Sequence, residues 1–336
     1  MLSDAILSEI SKQFDCSKDE IRITKKLQGT SSAQTYQLRI CTEKINVIFK
    51  NQTTLNEWLF YKEITPNYEV PAPKTLAISK SSDVLWIIIE KVAKGLHPKK
   101  WKKEDIINAL KAIACFHSKF YNEVEQERFK DFPKLTIKEW SHKKKELYEN
   151  LKKAKLVAKN YEDVIPITIE EIERVKKEIS KPKYLDSLQK SGITLLHGDT
   201  WIYNFMLTKN DLHILGWQDC FFGPPALEIL HFYDLLPFRI DGMKVGLREI
   251  PITLNEITDI YLRELSKNKI KIKKNDFLES MKAAIFFQLA NYWAPRLKPF
   301  TVYLRGGSYF IGRTLRLLPS RSKLRAHFKN LLEYAK

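Results

Sequence analysis

The side chains best placed to do chemistry lie in one stretch, LLHGDTWIYNFMLTKNDLHILGWQD, at residues 195–219. His197, Asp199 and Asn204 stand there in an H-x-D-x-x-x-x-N spacing. Phosphoryl transfer asks little covalent work of a protein. It needs a carboxylate to accept the proton of the acceptor hydroxyl, and oxygen ligands that hold a metal against the phosphates. A loop of this form supplies both, the aspartate as base and the asparagine as metal ligand. His, Asp and Asn also gather in ordinary loops, so the spacing is judged with what surrounds it.

Upstream signals come in the order such a site requires. In KKLQGTSSAQTYQLRI, a strand–turn–strand pattern sets Gly29, Ser31 and Ser32 in a turn where backbone N–H groups and small hydroxyls can cradle an anion. INVIFKN puts Lys50 at the end of an apolar strand, as a snorkelling edge residue or as a cation for phosphates. Glu57 follows seven residues later on an amphipathic segment, as a surface glutamate or as the partner of Lys50. Each signal is weak alone. The order of glycine turn, lysine strand, glutamate helix, apolar linker and HxDxxxxN makes them specific together.

The elements that must position these residues fall into two lobes. The first ~90 residues read as a short helix and then strands at IRITKKLQG, SAQTYQLRI and KINVIFKN. TTLNEWLFYKEI is amphipathic, with Leu55, Trp58, Leu59 and Ile64 on one helix face. VPAPKTLAIS is extended because of its prolines, and VLWIIIEKV suits a strand covered on both faces. From about residue 98 helical periods dominate, interrupted by short strands in ITLLHGD, FMLTKN and LHILGWQD. They resume from PALEILHFYDLL to the end. The expectation is an α+β fold, with a β-rich N-terminal nucleotide-binding lobe at 1–92 and an α-rich catalytic and substrate lobe at 93–336. A cleft between lobes is the default ligand site.

At 336 residues with 44% hydrophobic content the chain can fill such interiors. No apolar run approaches the ~20 residues of a membrane span, and MLSDAILSEISKQFD lacks the features of a secretion signal. Four scattered cysteines without metal spacing point to reduced thiols and a cytoplasmic protein. The net charge of +17 raises the question of a nucleic-acid partner. No nucleic-acid motif accompanies it, and dense runs such as SHKKKELYENLKKAKLVAKNYED mix lysine with glutamate. A solvated helix face with i,i+4 charge pairs is the preferred reading, so a nucleic-acid partner is not expected.

Over Leu27 to Trp293 the chain resembles the aminoglycoside phosphotransferase and choline kinase-like superfamily, which shares the protein-kinase fold. LQGTSSAQTY looks like its phosphate loop, INVIFK its lysine strand, NEWLFYKEI its pairing helix and WIIIEKV its hinge. IACFHSKFY looks like its "LHxxxF" helix, and HGDTWIYNFML, the most specific part, its catalytic loop. The resemblance implies an ATP- and Mg2+-dependent kinase acting on a hydroxyl of a small molecule. It makes Asp199 the base, Asn204 a magnesium ligand, Lys50 the phosphate grip and Glu57 its partner. Adenine would meet the hinge backbone from Glu90 to Val92. His197 is expected to brace the loop, with Trp201 and Tyr203 packing it. A polycationic aminoglycoside would be repelled at long range by so basic a chain. Phe286, Phe287, Tyr292 and Trp293 are read as core before they are read as a ligand wall.

The chain departs from the family at one place. Where the family has an aspartate before an aromatic, ILGWQD has Gly216, and Glu228 stands where a structural aspartate is usual. Magnesium takes hard oxygen ligands, so the missing carboxylate implies a loss of roughly 10³-fold or more in rate. Asp219 is an alternative ligand, and Asp211 is expected to do no more than cap its turn. Transfer of the γ-phosphate remains the expectation. The alternative is a catalytically impaired, pseudokinase-like protein that binds nucleotide or ligand.

Overall fold

Alternating apolar residues build an antiparallel sheet in the order β1-β2-β3-β5-β4. Its strands are β1 (Arg22–Leu27), β2 (Gln34–Ile40), β3 (Ile45–Asn51), β4 (Thr75–Ser81) and β5 (Val84–Glu90). Tyr36, Leu38 and Ile40 repeat every second residue, as do Val47 and Phe49, so each set faces one side of the pleat. That side packs on Ile6 and Ile10 of α1 (Asp4–Phe14), together with Trp86 and Ile88. Burying each large side chain contributes about 1.5–3 kcal/mol. β5 lies between β3 and β4, and its run Trp86–Ile89 is buried on both faces as its continuous apolar sequence requires. This computed structural model describes residues 2–27, 33–40, 45–81, 84–162, 165–209, 211–241, 244–297, 309–311, 314–316 and 321–336. The phosphate-loop candidates Gly29, Ser31 and Ser32 lie outside them.

The contacts divide the chain into two units: Met1–Leu96 with Tyr203–Cys220, and His97–Ile202 with Phe221–Lys336. A continuous division at 92/93 differs from this in two respects: the first unit runs on to Leu96, and the segment Tyr203–Cys220 belongs with the sheet. The reason is local. The hairpin of β7 (Phe205–Leu207) and β8 (Leu212–Ile214) is hydrogen-bonded to the first unit at both ends. Ile214 N–H donates to Pro71 O at 2.6 Å, and Leu96 N–H donates to Leu207 O at 2.6 Å. Gly95 permits the second contact. A Cβ there would stand 2.7 Å from both Leu207 N and Met206 Cα.

Helix α2 (Leu55–Leu59) starts at Thr54, whose hydroxyl accepts from Glu57 N–H at 3.2 Å. It continues as a π turn over Phe60–Ile64. The face expected from Leu55 is corrected: Leu55 is 51% exposed. Leu59 and Ile64 are buried as expected, and Glu57, Phe60 and Tyr61 join Ile64 in an i, i+3, i+4, i+7 row that begins on a charged residue.

The second unit is mainly helical. α3 (Lys103–Phe120) packs on α8 (Leu254–Lys267), and α7 (Pro225–Leu235) packs on α8 and α9 (Lys274–Gln288). α7 is buried almost all round, as an apolar run without a polar face must be. β6 (Thr194–Leu196) pairs with β9 (Phe221–Gly223) through Leu195 and Phe222, which fixes both ends of the segment between them. The helical reading beyond residue 236 misses a hairpin, β10 (Phe238–Asp241) with β11 (Lys244–Leu247). Its signal in the sequence is a Gly-x pair, Gly242 and Met243, between two alternating runs. In α4 (Ile137–Asn160) the lysine-rich face is solvated as expected. Its ion pairs are i,i+3 (Lys143–Glu146) and inter-helix (Lys155 to Glu173 of α5, Ile169–Ser180) rather than i,i+4. Among the described residues no helix is long and apolar enough to cross a membrane.

Candidate active site

In the first unit, the register of β3 sets Lys50 between Thr35 of β2 and Ile87 of β5. The Lys50 ammonium makes an ion pair with Glu57 Oε1. Both partners are shielded, with side-chain exposures of 12% for Lys50 and 1% for Glu57. Glu57 is therefore no surface glutamate. Its second oxygen, Oε2, is buried with no hydrogen-bond partner among the described residues. Beside it Tyr61 is fully buried. Burial first, and then the Glu57 charge, push the Tyr61 phenol well above its usual range. The lysine is thus held in place by a buried carboxylate.

The strand end that carries Gly216 is anchored to the same helix. The indole of Trp217 is buried and stacks on Phe60, with ring centres 3.7 Å apart and planes 8° apart. Its N–H donates to Ile214 O at 2.8 Å. The Gln218 carbonyl accepts from Thr54 Oγ1 at 3.3 Å and from Asn56 Nδ2 at 3.4 Å. Gly216 sits between these anchors in a left-handed conformation with φ +84°. A Cβ there would meet Gln218 Oε1 at 3.4 Å and Asn204 Oδ1 at 3.7 Å, which is ordinary contact. The turn thus has room for a side chain that the sequence does not supply.

These residues do not fit the magnesium site that the family resemblance implies. The oxygens nearest the missing side chain belong to the neutral amides of Asn204 and Gln218. Asp219, two residues beyond Trp217, is exposed, and the Asp211 carboxylate accepts from Leu212 N–H at 2.8 Å. Among the described residues no cluster of three or more His, Cys, Asp or Glu can hold a metal. At the hinge, Glu90 is tied twice to Lys74, the residue before β4. Its N–H donates to Lys74 O at 3.0 Å, and its carboxylate accepts from Lys74 N–H at 2.9 Å. The Glu90 N–H is therefore engaged already.

The second unit holds Asp199. The loop before it is braced through the backbone. Asp199 N–H donates to His197 Nδ1 at 3.2 Å, and Gly198 N–H donates to Glu228 Oε2 at 2.9 Å. His197 is fully buried and accepts with the nitrogen facing the loop. Glu228 Oε1 meets His117 Nε2 at 3.1 Å, and His117 Nδ1 meets the Tyr261 hydroxyl at 2.8 Å. Burial opposes the Glu228 charge, but His117, His197 and the Gly198 N–H favour it. The balance holds the carboxyl below its usual range. The Asp199 side chain is about one-third exposed, at 33%. Part of the carboxylate thus reaches the surface of a braced loop.

Behind Asp199 lies a polar chain that the sequence reading does not name. His231 Nε2 stands 3.6 Å from Asp199 Oδ1. His231 Nδ1 is 2.9 Å from Gln288 Nε2, which donates to Asp234 Oδ2 at 2.8 Å. Its signal in the sequence is Glu228, His231 and Asp234 at three-residue steps inside the apolar run of α7. Phe286, Phe287 and Trp293 are buried, in line with their reading as core. Tyr292 packs its ring on His231 with centres 5.0 Å apart.

The profile of the ecdysteroid kinase-like family matches residues 21–236. Among solved structures, the chain is similar to a choline kinase from Cryptosporidium parvum, with TM-score 0.63, 13% identity, and coverage of 98% of this chain and 94% of that one. It is similar to an ethanolamine kinase from Plasmodium vivax, with TM-score 0.53, 11% identity, and coverage of 95% and 82%. It is also similar to a choline kinase from Streptococcus pneumoniae, with TM-score 0.51, 12% identity, and coverage of 98% and 97%. No curated protein matches. At these identities the structural likeness establishes the protein-kinase-like fold, with its β-sheet N-terminal and helical C-terminal regions.

Proposed function

Because the chain belongs to the ecdysteroid kinase-like family, we propose that it is an ATP-dependent phosphotransferase acting on a hydroxyl of a small molecule. The observation that carries this reading is Asp199, a one-third exposed carboxylate on a loop braced by His197 and Glu228. In the proposed step the acceptor oxygen attacks the γ-phosphorus. The bond from that phosphorus to the β,γ-bridging oxygen breaks, ADP leaves with the electron pair, and the hydroxyl proton passes to Asp199. Lys50, held by Glu57, grips phosphate oxygens, and the backbone from Glu90 to Val92 meets adenine. A cytoplasmic location, where ATP is at hand, is part of the same proposal.

The test is ATP consumption with a panel of hydroxylated acceptors that includes an ecdysteroid, choline, ethanolamine and an aminoglycoside. At least one acceptor is expected to be phosphorylated, and Asp199→Asn is expected to abolish it. A second reading is favoured by Gly216 and its neutral surroundings: a protein that binds nucleotide without appreciable transfer. It predicts nucleotide affinity indifferent to magnesium and no turnover with any acceptor.

A further inference from the structure

The polar chain behind Asp199 fixes where a proton must sit. Asp234 is fully buried, and its Oδ2 accepts the Trp293 indole N–H at 2.7 Å, while its Oδ1 meets His327 Nε2 at 2.6 Å. An indole can only donate, so Oδ2 is an acceptor. The Gln288 atom 2.8 Å from that oxygen must then be the amide nitrogen, because two acceptors at that distance would repel. The same nitrogen lies 2.9 Å from His231 Nδ1, nearer than the amide oxygen at 3.3 Å, and directs its second hydrogen there. His231 Nδ1 therefore accepts, and neutral His231 carries its proton on Nε2. That Nε2 is buried, has no hydrogen-bond partner among the described residues, and stands 3.6 Å from Asp199 Oδ1.

We propose that His231 is the positioning residue of Asp199: its Nε2–H, locked in place by Gln288 and Asp234, closes onto Oδ1 in the reacting complex and fixes the orientation of the carboxylate. At 3.6 Å the contact is longer than a hydrogen bond, as such contacts are in ligand-free sites. The groups packed around His231 fit this role. Asp199 faces Nε2, Gln288 of α9 faces Nδ1, and Asp234 lies one helical step along α7. Tyr292 packs edge-to-face with the ring, and the Arg296 guanidinium lies over the tyrosine, 3.6 Å from its centre. Burial lowers the His231 pKa, but the contacts to Asp199, Asp234 and Gln288 outweigh it and leave the value raised. In either charge state Nε2 carries a hydrogen that faces Asp199 Oδ1. A wrong tautomer would instead aim a lone pair at the carboxylate, the failure seen when a triad's orienting acid is neutralised.

This inference rests on the phosphotransferase reading for its kinetic arm only. The first arm needs no activity: histidine-15N-labelled protein is examined by long-range 1H–15N correlation, with the His231 signal identified by its loss in His231→Gln. The Nε2–H tautomer is expected in the native protein, with loss of that preference in Asp234→Asn. An Nδ1–H tautomer overturns the proposal. The second arm measures kcat and KM on the acceptor that the panel identifies. His231→Leu is expected to lower kcat about 10- to 100-fold with the KM for ATP unchanged, the worth of one hydrogen bond to a charged group. His231→Gln, which can place an amide N–H near the position of Nε2, is expected to recover most of that loss. Wild-type kcat in His231→Leu, or equal damage in both variants, overturns it. If no acceptor is phosphorylated, the functional reading falls, and the tautomer alone decides the relay.

Discussion

Removing the ammonium of Lys50 should destabilise the protein by a predictable amount. Glu57 lies on the apolar row of α2 with Phe60, Tyr61 and Ile64, and its side chain is 1% exposed. One carboxylate oxygen depends on Lys50, and the other has no partner among the described residues. Lys50→Met therefore leaves a buried charge uncompensated. Breaking such a pair from one side costs about 3–5 kcal/mol. With a urea m-value of ~3 kcal/mol/M, the unfolding midpoint falls by about 1–2 M. The double variant Lys50→Met, Glu57→Met removes both charges and keeps the volume, so it should regain most of the loss, since a buried pair replaced by apolar groups is often neutral. Nucleotide binding should be lost in both. The measurements are urea unfolding and calorimetric titration with ATP on the three proteins. A single variant as stable as the wild type, or a double variant as unstable as the single, would refute the account of Glu57 as a buried acid held by one lysine.

Other consequences follow from the same geometry. Gly216→Asp fits sterically, with its Cβ in ordinary contact with Gln218 and Asn204, and aspartate tolerates positive φ at a cost of about 1–2 kcal/mol. It should make nucleotide binding magnesium-dependent and raise transfer at least ~10-fold, checked by titration and turnover with and without the metal. Gly95→Ala would drive a methyl into the backbone of Met206 and Leu207 and should cost about 1–3 kcal/mol in thermal unfolding. The lowered pKa of Glu228 sets an acid limit. A carboxyl with a folded-state pKa below its ordinary 4.5 stabilises the protein above that value, and this stability drains away as pH falls through the lower folded value. Glu228→Gln should flatten that acid-side slope in pH-dependent unfolding, and an unchanged slope would rule out the carboxylate as its source.

The strands were legible because alternation at Tyr36, Leu38 and Ile40, and at Val47 and Phe49, matches the pleat. The site was legible where chemistry dictates residue type: Lys50 and Glu57 do pair, and the backbone around Asp199 is braced by His197. The π turn of α2 was not, because Glu57 opens a buried row that hydrophobicity alone assigns to Leu55. Nor was the chain from His231 through Gln288 to Asp234, whose members lie 57 and 54 residues apart and meet only through the packing of α7 on α9. Polar residues at three-residue steps in an otherwise buried helix were the clue. The role of Gly216 needed the structure as well, since only there does it sit beside two neutral amides.

The central claim is that Asp199 accepts a proton during transfer of the γ-phosphate. Its most direct test is transfer of 32P from [γ-32P]ATP to the acceptor panel by the wild type and by Asp199→Asn, with unfolding monitored to show both are folded. The account predicts a labelled product from the wild type and a loss of at least ~10³-fold in the variant, with the KM for ATP little changed. A wild-type product that persists at full rate in Asp199→Asn, or no labelled product from any acceptor, would contradict it.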